Sequence, residues 1–230
     1  MSQNLSKRII TSIFLLFLLL FINFSHQYIF IFSILLLGIL IYIEASNIFS
    51  KLISLKLLKK KNLSKTFNFK FLILNTITFC YVFFIFCNLS YEIHKSEGSI
   101  FFLYIISICF FTDIGGYVFG KIIGGKKLSK ISPNKTISGT VGSFIFSIIP
   151  LTIFLNLGYL NLEFDLNNIL FSFLISLISQ LGDLLVSFFK RKAKIKDTGN
   201  FLPGHGGVLD RIDGILFGVP IGFYALILIY

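Results

Sequence analysis

The chain has 230 residues, of which 55% are hydrophobic, 17% aromatic and only 13% charged, and its formal net charge is +11. A soluble domain of this length cannot hide so much apolar surface in one core. The charges cluster and leave long uncharged runs, which points to an all-α, polytopic membrane bundle and excludes a membrane barrel built of short alternating segments.

About twenty apolar residues cross a bilayer. The predicted spans, in chain order, are about Ile9–Phe24, Tyr28–Ser46, Phe69–Leu89, Ile100–Gly120, Gly139–Tyr159, Leu166–Phe189 and Ile215–Tyr230. That is about seven helices in a single domain, residues 1–230. The first and last are short, as tilted or partial spans are. The first follows Lys7-Arg8 as the apolar part of a signal peptide does. It lacks small cleavage-site residues and more spans come after it, so it reads as a helix. Ser25-His26-Gln27 is a turn that pairs the first two helices. Cys80, Cys87 and Cys109 sit inside apolar runs and read as packing residues. The three histidines are scattered and offer no zinc site.

Lys and Arg placement sets the orientation. Lys7-Arg8, the lysines from Lys51 to Lys70, those from Lys121 to Lys135, and the basic residues from Lys190 to Arg211 all fall on one side of a seven-helix chain. Only Lys95 is opposite, so the N-terminus and the polar loops are expected on the cytoplasmic face of the inner membrane. The Lys51–Lys70 loop has no glycine or acid pattern of a site and reads as positive-inside charge that also holds anionic lipid. No module for DNA or RNA is apparent, so nucleic acid is not an expected partner.

Acids inside spans are costly and read as functional by default. Glu44 lies at the cytoplasmic end of the second span, and a structural and a functional role both remain open. Asp183 belongs to a helical stripe of Ser172, Ser176, Ser179, Gln180, Asp183, Ser187 and Lys190, with Phe, Leu, Ile and Val elsewhere. Interhelical hydrogen bonding explains the serines but not an acid leading into Lys190-Arg191. Asp113 shares a face with Cys109, Gly116, Tyr117 and Gly120, and the small pair Gly116/Gly120 admits a close neighbour helix. Gly214, Gly218 and Gly222 form a similar ridge on the last helix, for a contact within the chain or across a homodimer.

The stretch from Ser187 to Asp213 carries the chemistry. Its cations and flexible backbone N–H groups suit a polyanion. Carboxylates among phosphate-binding cations point to a hard metal ion such as Mg²⁺. A plain basic loop held by lipid headgroups explains the lysines but not the glycines, His205 or the acids.

Ser187, Lys190-Arg191, Lys196-Asp197, Gly199, Leu202-Pro203, His205-Gly206-Gly207 and Asp210-Arg211-Ile212-Asp213 resemble the signature of the phosphatidate cytidylyltransferases (CDP-diacylglycerol synthases) without departure. Asp113-x-x-Gly116-Tyr117-x-x-Gly120-Lys121, followed by Ser132-Pro133-x-Lys135-Thr136, is a second feature similar to that family. There the usual Trp-Glu after Lys-Thr is replaced by Ile137-Ser138, so only Asp113, Ser132, Lys135 and Thr136 carry over. The resemblance implies a membrane enzyme that makes CDP-diacylglycerol and pyrophosphate from CTP and phosphatidate.

In such a transfer the nucleophile is already an anion, and the task is to hold two polyanions in line. Asp183 and Asp210 are the expected Mg²⁺ ligands. They bracket the loop and can meet if it folds back, and a second cation beside them is left open. Lys190, Arg191, Lys196 and Arg211 are expected to bind the triphosphate and the lipid headgroup. Gly206-Gly207 allow backbone to approach phosphate. His205 reads either as a phosphate donor or as an organiser of the loop. Asp197 and Asp213 are expected to orient the basic side chains. A CTP-dependent polyprenol or phytol kinase is the nearest rival; it would release CDP and leave a lipid monophosphate. A secondary transporter using Asp113 and Asp183 is a third reading, against which stands the lack of two related halves.

Overall fold

In a bilayer, backbone N–H and C=O groups must be satisfied within the chain, which leaves helices as the form for runs this apolar. The computed structural model describes residues 2–57, 64–129, 132, 135–158, 160, 163–202 and 206–229, and only the backbone of 2–8, 56–57, 64–68 and 229. Its elements are helical: α1 (Ser2–Phe24), α2 (Gln27–Leu57), α3 (Ser64–Cys80), a π-helical segment (Tyr81–Cys87), α4 (Asn88–Ser96), α5 (Gly98–Ile122), α6 (Ile137–Phe146), α7 (Ile149–Leu157), α8 (Leu166–Lys192) and α9 (Leu209–Ile229). Among the described residues, extended pairing is confined to two isolated bridges, Lys127 with Thr136 and Leu202 with Gly206.

Among the described residues, six stretches are long and apolar enough to cross a membrane: Gln27–Leu55, Phe69–Ser96, Gly98–Ile122, Ile137–Leu157, Leu166–Lys192 and Leu209–Leu228. The remaining expected span, Ile9–Phe24, is a shorter apolar helix. The chain is a multi-pass helical membrane protein, close to the expected count. Phe14, Phe17 and Phe21 of α1, and Leu170, Leu174, Leu177, Leu181 and Leu185 of α8, are exposed, as lipid-facing side chains are.

Two compact units are present. The first comprises Met1–Tyr91 with Phe189–Ile212, the second Glu92–Phe188 with Asp213–Tyr230. Neither is a continuous stretch of the chain.

In the first unit α2 continues past the expected end at Ser46 to Leu57. Ile48, Phe49, Leu52 and Ile53 are buried while Lys51 is exposed, so an amphipathic stripe carries the helix on. At 1.5 Å per residue α2 is about 46 Å long, against ~30 Å of hydrocarbon, and Glu44 lies about 26 Å along it. Gly38 of α2 lies against the π-helical segment, where an added Cβ would come within 2.8 Å of Cys87 Sγ. The Phe49 and Phe189 rings meet edge to face at 5.4 Å.

In the second unit the glycines make the helix contacts. A Cβ on Gly115 of α5 would overlap the Gly142 carbonyl oxygen of α6, and one on Gly139 would sit 2.7 Å from the Gly116 carbonyl oxygen. Ser143 Oγ donates to the Thr112 carbonyl across this seam at 2.8 Å. The α9 ridge also packs within the chain: Gly214 faces Ser179, Gly218 faces Cys109 and Gly222 faces Ile105. The predicted span from Gly139 is interrupted at Ser147-Ile148, because Pro150 starts α7 anew. Thr136 caps α6, its Oγ1 accepting from Gly139 N at 3.1 Å, and Asp165 caps α8 by accepting from Asn168 N at 2.9 Å.

Candidate active site

The α8 stripe turns inward as its periodicity predicts. Ser172, Ser176, Ser179 and Gln180 are buried. In the second unit the stripe continues to Asp183 and Ser187; Asp183 Oδ2 lies 2.5 Å from Lys135 Nζ and its Oδ1 accepts from Ser187 Oγ at 3.3 Å. Both side chains of the ion pair are about a quarter exposed, at 26% for Lys135 and 24% for Asp183. Asp113 of α5 is exposed and stands within electrostatic reach of both Asp183 and Lys135.

Lys135 is brought there by the segment before α6. Leu128 N donates to the Lys135 carbonyl at 2.8 Å, Ile137 N to that of Lys126 at 3.0 Å, and Lys135 N to that of Ser132 at 3.1 Å. Ser138 Oγ donates to the Gly124 carbonyl. Asp113, Lys135 and Asp183 therefore form one cluster, with Ser132 and Thr136 on the segment that carries it. Asp213 also belongs to the second unit, where it is buried and its Oδ1 accepts from Gly214 N at 3.0 Å.

The first unit holds the other cluster. Helix α8 stops after Lys192 through a paired closure: Ile195 N donates to the Lys190 carbonyl at 3.0 Å and Lys194 N to the Arg191 carbonyl at 3.1 Å. This closure needs a left-handed residue, and Lys194 supplies it at φ 55° where glycine is usual. The chain then turns back onto Asp210, in the first turn of α9. Lys190 Nζ lies 2.6 Å from Asp210 Oδ1. Asp210 Oδ2 accepts from Thr198 N at 2.7 Å and Gly207 N at 3.1 Å, with Thr198 Oγ1 3.0 Å away.

Gly206 has φ 86°, and its carbonyl accepts from Leu202 N at 2.9 Å. A Cβ on Gly207 would overlap Thr198 Oγ1 and Glu44 Oε2. Arg191, Lys196, Asp197 and Arg211 are exposed around this core. Arg191 and Lys196 have no ion-pair partner among the described residues. His205, with Pro203 and Gly204, lies outside the described residues.

Lys190, Gly207 and Asp210 thus meet directly in one unit, and Asp113, Lys135 and Asp183 in the other. Two residues join the first cluster that the motif reading did not assign to the site. Thr198 N donates to Asp210, and Glu44 accepts from Thr198 Oγ1 at 2.6 Å. Glu44 had a signal, as an acid within a span; Thr198 had none beyond its place between Asp197 and Gly199.

A helical membrane protein whose signature loop closes on a partly buried lysine–aspartate pair is the setting in which the comparisons fall. Residues 12–229 match the cytidylyltransferase family, and the chain belongs to that family. The phosphatidate cytidylyltransferase of Staphylococcus haemolyticus is 43% identical over 128 residues, covering 55% of this chain and 49% of that protein. That of Staphylococcus aureus is 44% identical over 130 residues, with 55% and 49% covered. That of Helicobacter pylori is 38% identical over 137 residues, with 60% and 50% covered. The chain spans about half the length of the curated relatives it matches.

Proposed function

We propose that the protein is a phosphatidate cytidylyltransferase, which transfers CMP from CTP to phosphatidate and releases pyrophosphate. One observation carries the reading: Lys190, Thr198 and Gly207 converge on Asp210 while Arg191 and Lys196 stay exposed for phosphate. The names of the relatives point the same way.

In this reaction a phosphatidate oxygen forms a bond to the α-phosphorus of CTP as the bond from that phosphorus to the bridging α–β oxygen breaks. The electron pair leaves with pyrophosphate. The nucleophile needs no strong base, so the protein's work is to bind, neutralise and align. Arg191, Lys196 and Arg211 would bind the triphosphate and the lipid headgroup, and the Gly206-Gly207 backbone would approach phosphate closely. Lys190, held by Asp210, would be a fixed cation at the edge of that site. Asp113, Ser132, Lys135 and Thr136 would serve substrate from the second cluster. Asp197 and Asp213 would orient basic groups, and His205 would bind phosphate or order the loop.

Mg²⁺ suits the donors present. Among the described residues no group of three or more His, Cys, Asp or Glu could hold a metal. This ion takes one or two carboxylates and completes its shell with water and substrate phosphate. Asp183 and Asp210 offer hard oxygens, and each already faces an ammonium group, Lys135 or Lys190. By the resemblance, each is a residue that would hold Mg²⁺. When bound, the ion supplies charge neutralisation on phosphate oxygens. CTP would arrive from the cytoplasm at the face carrying the basic clusters, with the acyl chains left in the bilayer.

The test uses purified protein with phosphatidate, Mg²⁺ and CTP labelled at the α- or the γ-phosphate. Label from the α-phosphate is expected in the lipid product and label from the γ-phosphate is not. Transfer of γ-label would overturn the reading in favour of a CTP-dependent lipid kinase.

A further inference from the structure

Glu44 takes no part in the transfer described above, yet the loop is built around its carboxylate. It is 7% exposed and sits on α2, 154 residues from Thr198 in sequence. Its Oε2 accepts from Thr198 Oγ1 at 2.6 Å and from Leu209 N at 2.9 Å, and its Oε1 accepts from Val208 N at 2.9 Å. Val208 immediately precedes α9 and Leu209 begins it, so no carbonyl within α9 can satisfy either N–H. A carboxylate there meets aligned donors and the positive end of the helix dipole together. The cap comes from a different helix, which ties the start of α9 to α2.

Thr198 makes Glu44 more than a cap. Its hydroxyl also lies 3.0 Å from Asp210 Oδ2. A hydroxyl carries one proton, and the shorter contact assigns it to Glu44. Asp210 keeps the Thr198 and Gly207 backbone N–H groups. One residue thereby links the acid on α2, through its hydroxyl, to the acid that holds Lys190, through its backbone N–H. The glycines leave room for this carboxylate: a Cβ on Gly199 would lie 2.7 Å from Glu44 Oε1, and one on Gly207 would overlap Oε2. Part of the glycine pattern in the signature is therefore explained by a carboxylate outside the signature.

We infer that Glu44 is a positioning residue: through Thr198, Val208 and Leu209 it holds the loop in the conformation that presents Lys190 and Asp210 to a nucleotide. The inference rests on the cytidylyltransferase reading for its kinetic consequence, but not for its structural one.

The experiment compares the full-length wild type with Glu44→Gln in detergent, by amide hydrogen exchange and by steady-state kinetics in CTP. The carboxamide keeps one acceptor but turns an NH₂ group toward donors. Exchange at Val208 and Leu209 is expected to speed up by about tenfold or more, because their hydrogen bonds open more often. A loop that is only fractionally competent weakens apparent affinity by that fraction. KM for CTP is therefore expected to rise on the order of tenfold while kcat stays within about threefold.

An acid that only held the protein folded would lower kcat per mole of protein and leave KM unchanged. Thr198→Val removes the hydroxyl that donates to Glu44 without touching α2. It should raise KM in the same direction by less, and the double variant should be no worse than Glu44→Gln alone, since coupled residues do not add. Unchanged exchange at Val208 and Leu209, or a fall in kcat at constant KM, would overturn the inference. Should Glu44→Gln not fold, Thr198→Val decides alone, a raised KM supporting the inference and a wild-type KM overturning it. Should the wild type transfer no CMP at all, the proposed function fails, and the exchange measurement still decides whether Glu44 holds the loop.

Discussion

Lys190 and Asp210 are 20 residues apart in the chain and 2.6 Å apart in space, with side chains only 12% and 7% exposed. The ion pair closes the signature loop and joins the end of α8 to the first turn of α9. Removing one partner of a partly buried pair leaves the other charge uncompensated, which costs up to about 3 kcal/mol. Asp210→Asn is expected to lose roughly that stability in denaturant titration, along with about 10²-fold or more of activity from lost charge stabilisation. A wild-type midpoint with wild-type rate would show that the pair closes nothing of importance.

Asp183→Asn should behave differently. The Lys135–Asp183 pair is about a quarter exposed on each side, and such pairs contribute at most about 1 kcal/mol after solvent screening. The unfolding midpoint should move little while activity falls on the order of 10²-fold and the Mg²⁺ requirement rises. Asp165→Asn is the control, because Asn caps α8 as well as Asp does. A large loss of stability at every Mg²⁺ concentration would make Asp183 a packing residue instead.

Gly207→Ala tests the crowding at the loop directly. The added methyl group has no space between Thr198 Oγ1 and Glu44 Oε2, so the loop must shift and break hydrogen bonds to both Glu44 and Asp210. Activity is expected to drop by about 10²-fold, since small misplacements of binding groups are that costly. Helix content by circular dichroism should be retained. Near-normal turnover would mean that the loop tolerates another conformation.

Charge placement predicts sidedness. Single cysteines at Lys127 and Lys194, in a background without Cys80, Cys87 and Cys109, should react with an impermeant maleimide only after the membrane is opened. Cysteines at Lys95 and Glu163 should react in intact cells. Labelling of position 127 or 194 from outside would overturn the orientation.

Much of the architecture follows from local rules that are read along the chain. The bilayer demands apolar runs of fixed length and the α-helix repeats every 3.6 residues. Ser172, Ser176, Ser179 and Gln180 therefore had to share the buried side of α8, with Leu170, Leu174, Leu177 and Leu181 outside. The ridge of Gly214, Gly218 and Gly222 likewise follows from spacing, although its partners Ser179, Cys109 and Ile105 do not. The motif order by itself singles out Lys190, Gly207 and Asp210.

Other features depend on residues that no local rule connects. The left-handed turn at Lys194 lacks the glycine that would announce it. Lys135 reaches Asp183 only because the segment before α6 folds back through the bonds of Leu128 and Ile137. Glu44 was legible as an acid in an apolar span, but its partners Thr198, Val208 and Leu209 lie more than 150 residues away. Burying a carboxylate is unfavourable until donors surround it, and only the packed tertiary structure could decide which donors those are.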